Sequence, residues 1–219
     1  LIISRNMSTT KSSTVTDVFI SLNPAESLAT SENSTKNEIA KLWAGSKANI
    51  EKAGETRVFY DLQGKTVAVV STGKVSDKGS VQVVENRLKE VSRRTAALGL
   101  LSLKGQSSTR MAIDPDYSPH AAAVGSHLAS WVWNLKSTTS AKALLEPVEI
   151  ECLGSQTAEL SSEKAHQGRI ALDWNTGTIY AKAQNMAREL METPANLMTP
   201  TSQLYVFYSF LRALSSLLI

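Results

Sequence analysis

The sequence contains very little cysteine and few aromatic residues. Its 219 residues include one cysteine, Cys152, and 6% aromatic residues. A single thiol cannot form a disulfide within the chain, which excludes the disulfide-stapled secreted scaffolds and favours a reducing compartment. Cys152 lies in the alternating segment 147–153, which predicts a core thiol on a strand. Nothing in the sequence suggests the histidine partner that a catalytic cysteine needs.

The sequence also lacks an excess of either charge. Its 23 basic and 20 acidic residues leave a formal net charge of +3. The basic side chains of a helix predicted over residues 80–103 are Arg87, Lys89, Arg93 and Arg94. Because Glu85 and Glu90 interrupt them, we interpret this helix face as solvated and expect no dedicated nucleic-acid surface.

Common motifs of phosphate and metal sites are missing. Gly73 and Gly79 are separated by a charged stretch without a Gly-Lys-Ser/Thr run, so no phosphate-binding loop is predicted. His120 and His127 are seven residues apart, which places both on one side of a helix. A metal-binding pair on a helix usually has a spacing of three or four residues, so we predict no metal site there.

Strand and helix patterns alternate along most of the chain. The predicted strands are 17–22, 57–62, 66–71, 109–113 and 147–153. The predicted helices are one through Ile39, Leu42 and Trp43 with Thr35 or Asn37 as cap, one over 80–103, one starting at Ser118-Pro119, and one over 173–191. The turn Gln63-Gly64-Lys65 predicts a hairpin, and the apolar run 66–71 predicts a strand covered on both faces. Asp114-Pro115-Asp116 predicts a turn.

Apolar residues at helical spacing predict the buried face of each longer helix. In the helix over 80–103 they are Val81, Val84, Leu88, Val91, Thr95 and Leu98. In the helix starting at Ser118 they are Val124, Leu128, Trp131, Val132 and Leu135. In the helix over 173–191 they are Tyr180, Ala183, Ala187, Leu190 and Met191. Together with the strands, these helices predict one α/β domain with a mixed, mostly parallel sheet flanked by helices.

The most informative segment is the run 183–200, Ala-Gln-Asn-Met-Ala-Arg-Glu-Leu-Met-Glu-Thr-Pro-Ala-Asn-Leu-Met-Thr-Pro. Pro194 ends the preceding helix, because the residue before a proline is pushed out of the α region. Thr199 and Pro200 suit the cap and the first position of another helix. The run therefore predicts a helix, an ordered hinge and a second helix.

This run resembles the segment that joins the two domains of the leucine aminopeptidase family, in which an Ala-Arg-x-Leu helix precedes Thr-Pro-Ala-Asn and Met-Thr-Pro. Weaker similarity occurs at 54–60 and 178–181. The resemblance implies a macro-like N-terminal α/β domain over 15–170 and an interdomain linker helix and hinge over 171–201. It also implies a cytoplasmic parent that releases N-terminal amino acids from peptides, uses two divalent metals (zinc or manganese), and assembles as a homo-oligomer, a hexamer in the family.

The resemblance does not reach the catalytic residues of that family. The family's two-metal site uses a lysine, several aspartates and a glutamate, with the signature Asn-Thr-Asp-Ala-Glu-Gly-Arg, and that run does not occur in the sequence. Because no position matches, we predict no catalytic, cofactor-binding or metal-binding residue in this chain. We predict that the 219 residues have no peptidase activity alone.

The two ends of the chain depart from the resemblance. Residues 1–14 predict a disordered arm, and we interpret Met7 as the start of translation, which makes 1–6 an artefact. Residues 202–219 carry one charge, Arg212, and are interpreted as an aberrant apolar tail from a frameshift or retained intron. The alternatives are a partner-binding helix of a short isoform and a tail anchor. The run is short for a membrane span, so no membrane contact is expected.

Two other functions stay open beside the accessory domain of an aminopeptidase. One is a stand-alone α/β module that binds a nucleotide or nucleic acid, which no sequence feature positively supports. The other is a regulatory subunit that joins an intact hexamer of full-length relatives.

Overall fold

The computed structural model describes residues 17–22, 34–76, 78–104, 110–115, 117–132, 148–153 and 172–215. The strands in these ranges are β1 (Asp17–Leu22), β2 (Thr56–Leu62), β3 (Lys65–Ser71), β4 (Arg110–Ile113) and β5 (Glu149–Cys152). The helices are α1 (Ser34–Gly45), α2 (Val81–Leu103), α3 (Pro119–Ser130), α4 (Trp174–Glu192) and α5 (Pro200–Ser215). The predicted arm over 1–14 and the residues 216–219 lie outside the described ranges.

The five strands form one sheet in the order β2-β3-β1-β4-β5. Strand β1 lies at its centre and pairs in parallel with both β3 and β4, and β5 continues the parallel arrangement beside β4. Only β2 runs antiparallel to its neighbour β3. The α/β prediction of a mixed, mostly parallel sheet is therefore confirmed.

The β2–β3 hairpin follows from its turn residues. Gln63 and Gly64 both have positive φ, at 53° and 75°, as a two-residue type I′ turn requires. Asp61 also has a positive φ of 59°, and the register shifts between Phe59 and Leu62, which marks a bulge. The hairpin prediction is confirmed, although Lys65 already belongs to β3 and pairs with Leu62.

Helices cover both faces of the sheet. Val67 and Val69 of β3 pack in a cluster with Ile39 and Trp43 of α1. Ala68 and Val70, which alternate with them, pack on the other face with residues of α2, α3 and α4. The apolar run of β3 is thus buried on both sides, as its sequence predicts. Helix α1 begins at Ser34, so Thr35 and Asn37 lie inside its first turn and the predicted caps were wrong.

The buried face of α2 differs from the predicted one. Its buried residues are Ser92, Thr95, Ala96, Gly99, Leu100 and Leu103, whereas Val81 is 77% exposed. Thr95 of the predicted stripe is buried and Leu98 packs partly buried against the core, so the buried face overlaps the prediction only in part and adds several small residues. Ser92 can be buried because its hydroxyl donates to the carbonyls of Pro115 and Ser118, both at 3.2 Å.

Helices α3 and α4 show the same departure. Helix α3 starts as predicted, with Ser118 accepting a hydrogen bond from the Ala121 N–H and Pro119 at its first position, but its buried residues are the contiguous run 121–126. In α4 the buried residues are Trp174, Gly177 and Ala181, while Tyr180 and Met191 are exposed. Val124 of the predicted α3 face is buried, Leu128 and Trp131 are only half-buried, and Leu135 lies outside the described residues. The predicted face of α4 was wrong, because the close helix contacts select small side chains.

Candidate functional site

The cysteine lies where its strand pattern predicts. Cys152 is the last residue of β5, half-buried, and packs against the core cluster between the sheet and α2. Burial raises the pKa of its thiol, and the nearby Asp114 carboxylate raises it further. The thiol is therefore protonated at neutral pH, which is the state of an inert packing residue.

The glycines near the end of β3 form a loop filled by the chain itself. Gly73 has a φ of 69°, and a side chain there would lie 2.7 Å from the Ala53 backbone nitrogen. The Arg87 guanidinium donates to the carbonyl of Ser76 at 3.1 Å and to that of Lys78. Gly73 therefore allows the close approach of Ala53, and Arg87 is held by two carbonyls of the segment that follows β3.

The two helical histidines both face α4, which places them on one side of α3 as predicted. His120 makes an edge-on contact with the Tyr180 ring, with centroids 5.3 Å apart. His127 Nε2 lies 3.2 Å from the Thr178 hydroxyl oxygen, and its ring lies 6.4 Å from that of Trp174. The imidazoles thus serve as packing groups between two helices.

These contacts make the α3–α4 interface sensitive to acid. Burial lowers the pKa of His127, and Lys182 lowers it further. Burial also lowers the pKa of His120, where the Asp173 carboxylate acts in the opposite direction and Lys89 adds to the lowering. Both imidazoles therefore bind protons more weakly in the folded chain than in the unfolded one. The stability they support is present above a pH of about 6.5 and is lost as the pH falls through the lower folded pKa.

We expect the melting temperature to fall between pH 7.5 and pH 5 and the fall to be smaller in the double variant H120Q/H127Q. The reason is that the unfolded chain binds these two protons more tightly than the packed interface does, whereas glutamine does not titrate. Thermal unfolding, monitored by circular dichroism, measures the melting temperatures of the unchanged chain and of the double variant at each pH. An equal pH dependence in the two proteins would contradict the assignment.

The segment after α4 forms a hydrogen-bonded hinge. Thr193 caps the helix, since its N–H and its hydroxyl both donate to the Glu189 carbonyl, at 3.0 and 2.6 Å. A tight turn follows, in which the N–H groups of Leu197 and Met198 donate to the Pro194 carbonyl at 2.9 and 3.0 Å. The predicted helix, ordered hinge and second helix are confirmed.

Helix α5 begins at the predicted cap and first position. The Thr199 hydroxyl accepts a hydrogen bond from the Ser202 N–H at 3.2 Å. The large exposed side chains of its first half are Leu204, Tyr205, Phe207 and Tyr208. The interpretation of 202–219 as an aberrant tail stays a prediction.

A groove with arginine side chains lies between α2, α3 and α4. It has a volume of about 360 Å³. Its lining residues are Glu90, Arg93, Arg94, Ala97, Gly125, Leu128, Ala129 and Arg188. The sequence indicated a basic face on α2 but not the contribution of Arg188, which lies almost a hundred residues away. Only the packing of α4 on α3 brings that guanidinium to the groove, and no local pattern encodes it.

Two further findings concern metals and membranes. Within the described ranges, no three histidine, cysteine, aspartate or glutamate side chains lie close enough together to hold a metal ion. The described residues therefore offer no donor set for the divalent metals that the resemblance implies. None of the helices in the described part of the chain is long and apolar enough to cross a bilayer.

Comparison with curated proteins finds relatives named cytosol aminopeptidase. The protein from Xenopus tropicalis is 30% identical over 152 residues, which cover 68% of this chain and 26% of the relative. The Bos taurus protein is 32% identical over 152 residues, with the same coverage, and the Homo sapiens protein is 30% identical over 167 residues, which cover 75% of this chain and 29% of the relative. The chain thus spans little more than a quarter of the length of these relatives. No model of a protein family matches the sequence.

The fold is also similar to that of solved structures. The bottromycin maturation enzyme BotP aligns with 93% of this chain and 37% of its own, with a TM-score of 0.55 and 14% identity. The same enzyme in complex with Mn gives a TM-score of 0.56. At this identity the likeness concerns the fold alone.

Proposed function

The chain belongs to the leucine aminopeptidase family, and from that premise we propose that it supplies the N-terminal, non-catalytic α/β domain and the linker helix of a metal-dependent aminopeptidase. The observation that carries this proposal is the 30–32% identity to cytosol aminopeptidases over 152–167 residues. It agrees with the resemblance of the run 183–200 to the interdomain segment of the family. The missing signature Asn-Thr-Asp-Ala-Glu-Gly-Arg supports the non-catalytic part of the proposal.

The activity of the whole protein follows from the same premise. A complete member would release N-terminal amino acids from peptides, with two divalent metals, zinc or manganese, held by its catalytic domain. The name of the relatives supports a place in the cytosol. A homo-oligomer, hexameric as in the family, is the assembly that we propose for the complete protein.

The contacts of α4 support a positioning role for this chain. Asp173 and Thr176 form a reciprocal capping box at its start, and Trp174 is buried in the core. In its second half the Asn185 amide donates to the His127 carbonyl at 2.9 Å. Since the hydrogen-bonded turn at Pro194 follows directly, these contacts support the proposal that the domain's own packing sets the direction in which the chain leaves it.

The chain alone is expected to release no p-nitroaniline from leucyl-p-nitroanilide with manganese or zinc added. The physical reason is that a two-metal hydrolase needs several carboxylates to hold its metals, and the described residues do not bring three such ligands together. Steady-state absorbance assays on the purified chain measure this, with circular dichroism as the check on folding. Metal-dependent turnover by the folded chain would overturn the proposal.

A chimera tests the positive half of the proposal. Residues 17–201 would replace the corresponding segment of the Bos taurus cytosol aminopeptidase, joined within the Thr-Pro-Ala-Asn run. We expect the chimera to hydrolyse leucyl-p-nitroanilide, because the domain and its hinge present the remainder in a productive orientation. A soluble chimera without activity, beside an active Bos taurus parent, would count against the positioning role.

A further inference from the structure

The groove defined above, here called the arginine groove, has an excess of guanidinium groups. Arg93, Arg94 and Arg188 line it with one carboxylate, that of Glu90. Glu90 is already bound side-on by Arg93, whose Nε and Nη2 donate to its two oxygens at 2.9 and 2.8 Å. The groove thus keeps two positive charges that its own lining does not neutralise.

Those two remaining arginines have few partners. Arg94 makes no hydrogen bond or ion pair with any residue that the structure describes, and its charge acts only at longer range, where it helps Arg93 to lower the pKa of Glu90. Arg188 reaches the Leu128 carbonyl at 3.4 Å and the Asn185 side-chain oxygen at 3.5 Å, both from Nη1, and its carbon Cζ lies 5.8 Å from the centre of the Trp131 ring. None of these partners is a carboxylate. Both guanidinium groups are exposed, so an incoming anion can reach them.

The Glu90–Arg93 pair indicates which ligand suits this groove. It has the bidentate geometry in which guanidinium groups bind carboxylates most strongly. The side chains of Glu90 and Arg93 are 57% and 47% exposed, so their pair is a surface pair that adds little to stability. A second carboxylate can therefore compete with Glu90 or bind beside it on Arg94 and Arg188.

The lining of the groove favours a polypeptide over a nucleic acid. Ala97, Leu128 and Ala129 supply an apolar surface between the charged groups, which suits the aliphatic part of a glutamate and its neighbours. Three arginines with an acidic residue among them are too few for a phosphate backbone, which needs a long basic track. The near-balanced charge of the chain, +3 overall, agrees with a local site.

We propose that the arginine groove is a docking site for an acidic polypeptide segment, with Arg94 and Arg188 binding its carboxylates and Glu90 competing with them. The site does not depend on the aminopeptidase assignment, because no catalytic domain takes part in it. It is formed wherever α2, α3 and α4 pack together.

Fluorescence anisotropy with a labelled peptide, Ala-Glu-Glu-Leu-Glu-Ala, tests the proposal at low ionic strength, where exposed charges are least screened. We expect saturable binding of this peptide and none of its Gln-for-Glu counterpart. R94Q and R188Q are each expected to weaken binding about fivefold, and E90Q to tighten it about threefold, because charge-assisted hydrogen bonds are lost or released. K41Q is the control, because it also removes one positive charge at an exposed position. Lys41 lies in α1, on the opposite face of the sheet, so K41Q should leave binding unchanged.

Circular dichroism melts check that the four variants are folded. Their melting temperatures should match that of the unchanged chain, since all four changes are at exposed positions. If K41Q weakened peptide binding as much as R188Q does, binding would depend on the overall charge of the chain and not on the groove, and the proposal would be overturned. Tighter binding of a six-nucleotide oligothymidine than of the peptide would identify a nucleic-acid surface instead. Complete displacement of the peptide by inorganic phosphate at low millimolar concentration would reduce the groove to a site for small anions, which also contradicts it.

Discussion

Replacing Gly125 with valine is expected to unfold the domain or to lower its melting temperature by about 10 °C. The glycine lies in α3 where that helix crosses α2, and a Cβ atom there would lie 2.0 Å from the Arg93 carbonyl oxygen and 2.8 Å from its carbon. Both atoms belong to the backbone of α2, so no rotamer change can relieve the overlap. Overpacking of this kind costs about 3 kcal/mol or more, and each kcal/mol shifts the melting temperature of a domain this size by about 2–4 °C.

Thermal and urea unfolding of G125V measure this effect, and G45A is its matched control. Gly45 is also a helical glycine, but nothing lies within 4 Å of an added Cβ. There alanine should be neutral or stabilising, because glycine has the lower helix propensity. A G125V chain as stable as G45A would show that α2 and α3 do not cross as closely as described.

The strands of this fold were predictable because their signals are local. The alternating and apolar runs of β1 to β5 and the Gln63-Gly64 turn act within a few residues, so their positions agree with the sequence prediction within a residue or two. The hinge belongs to the same group, since Pro194 and Pro200 restrict the backbone whatever surrounds them.

Apolar spacing predicted the buried Ile39 and Trp43 of α1, but it predicted the buried faces of α2, α3 and α4 only in small part. Helix α3 packs against α2 and α4 at once, and at each crossing a glycine allows the backbones to touch, Gly125 on Arg93 and Gly177 on His120. Helices that approach this closely bury alanine, serine and glycine at the crossings, whereas the large buried residues Leu100, Leu103 and Trp174 lie in the core cluster with residues of the sheet. Hydrophobic periodicity ranks residues by apolar size, so it selected the edges of these helices.

The arginine groove escapes sequence reasoning for the same reason. Arg93 and Arg94 are visible as a basic face of α2, but the site exists only because Gly125 and Gly177 bring α4 and Arg188 to it. The family resemblance adds nothing there, since it depends on the hinge run and on identity spread along the chain. The close packing at Gly125 and Gly177 therefore couples the stability of α2, α3 and α4 to the formation of the arginine groove.

Replacing Trp174 with alanine is expected to release α4 from the domain, at a cost of about 3–5 kcal/mol. The indole is 7% exposed and packs in the core cluster between the sheet and the helices, as the first residue of α4. Its loss leaves a cavity beneath α3, and the remaining contacts of α4 involve small or half-exposed groups such as Gly177 and Tyr180. The hinge at Pro194 is then no longer held in one direction by the domain.

Amide hydrogen exchange of residues 174–192 measures this release, and it should speed up more in W174A than exchange in β3 or β4. I179A is the matched control, because Ile179 lies on the same helix but is 45% exposed and should give protection close to that of the unchanged chain. Peptide binding at the arginine groove should weaken in W174A and not in I179A, since Arg188 leaves with α4. If α4 kept its protection in W174A, the helix would be held by its capping box and its contacts with His127, and the core indole would contribute only to global stability.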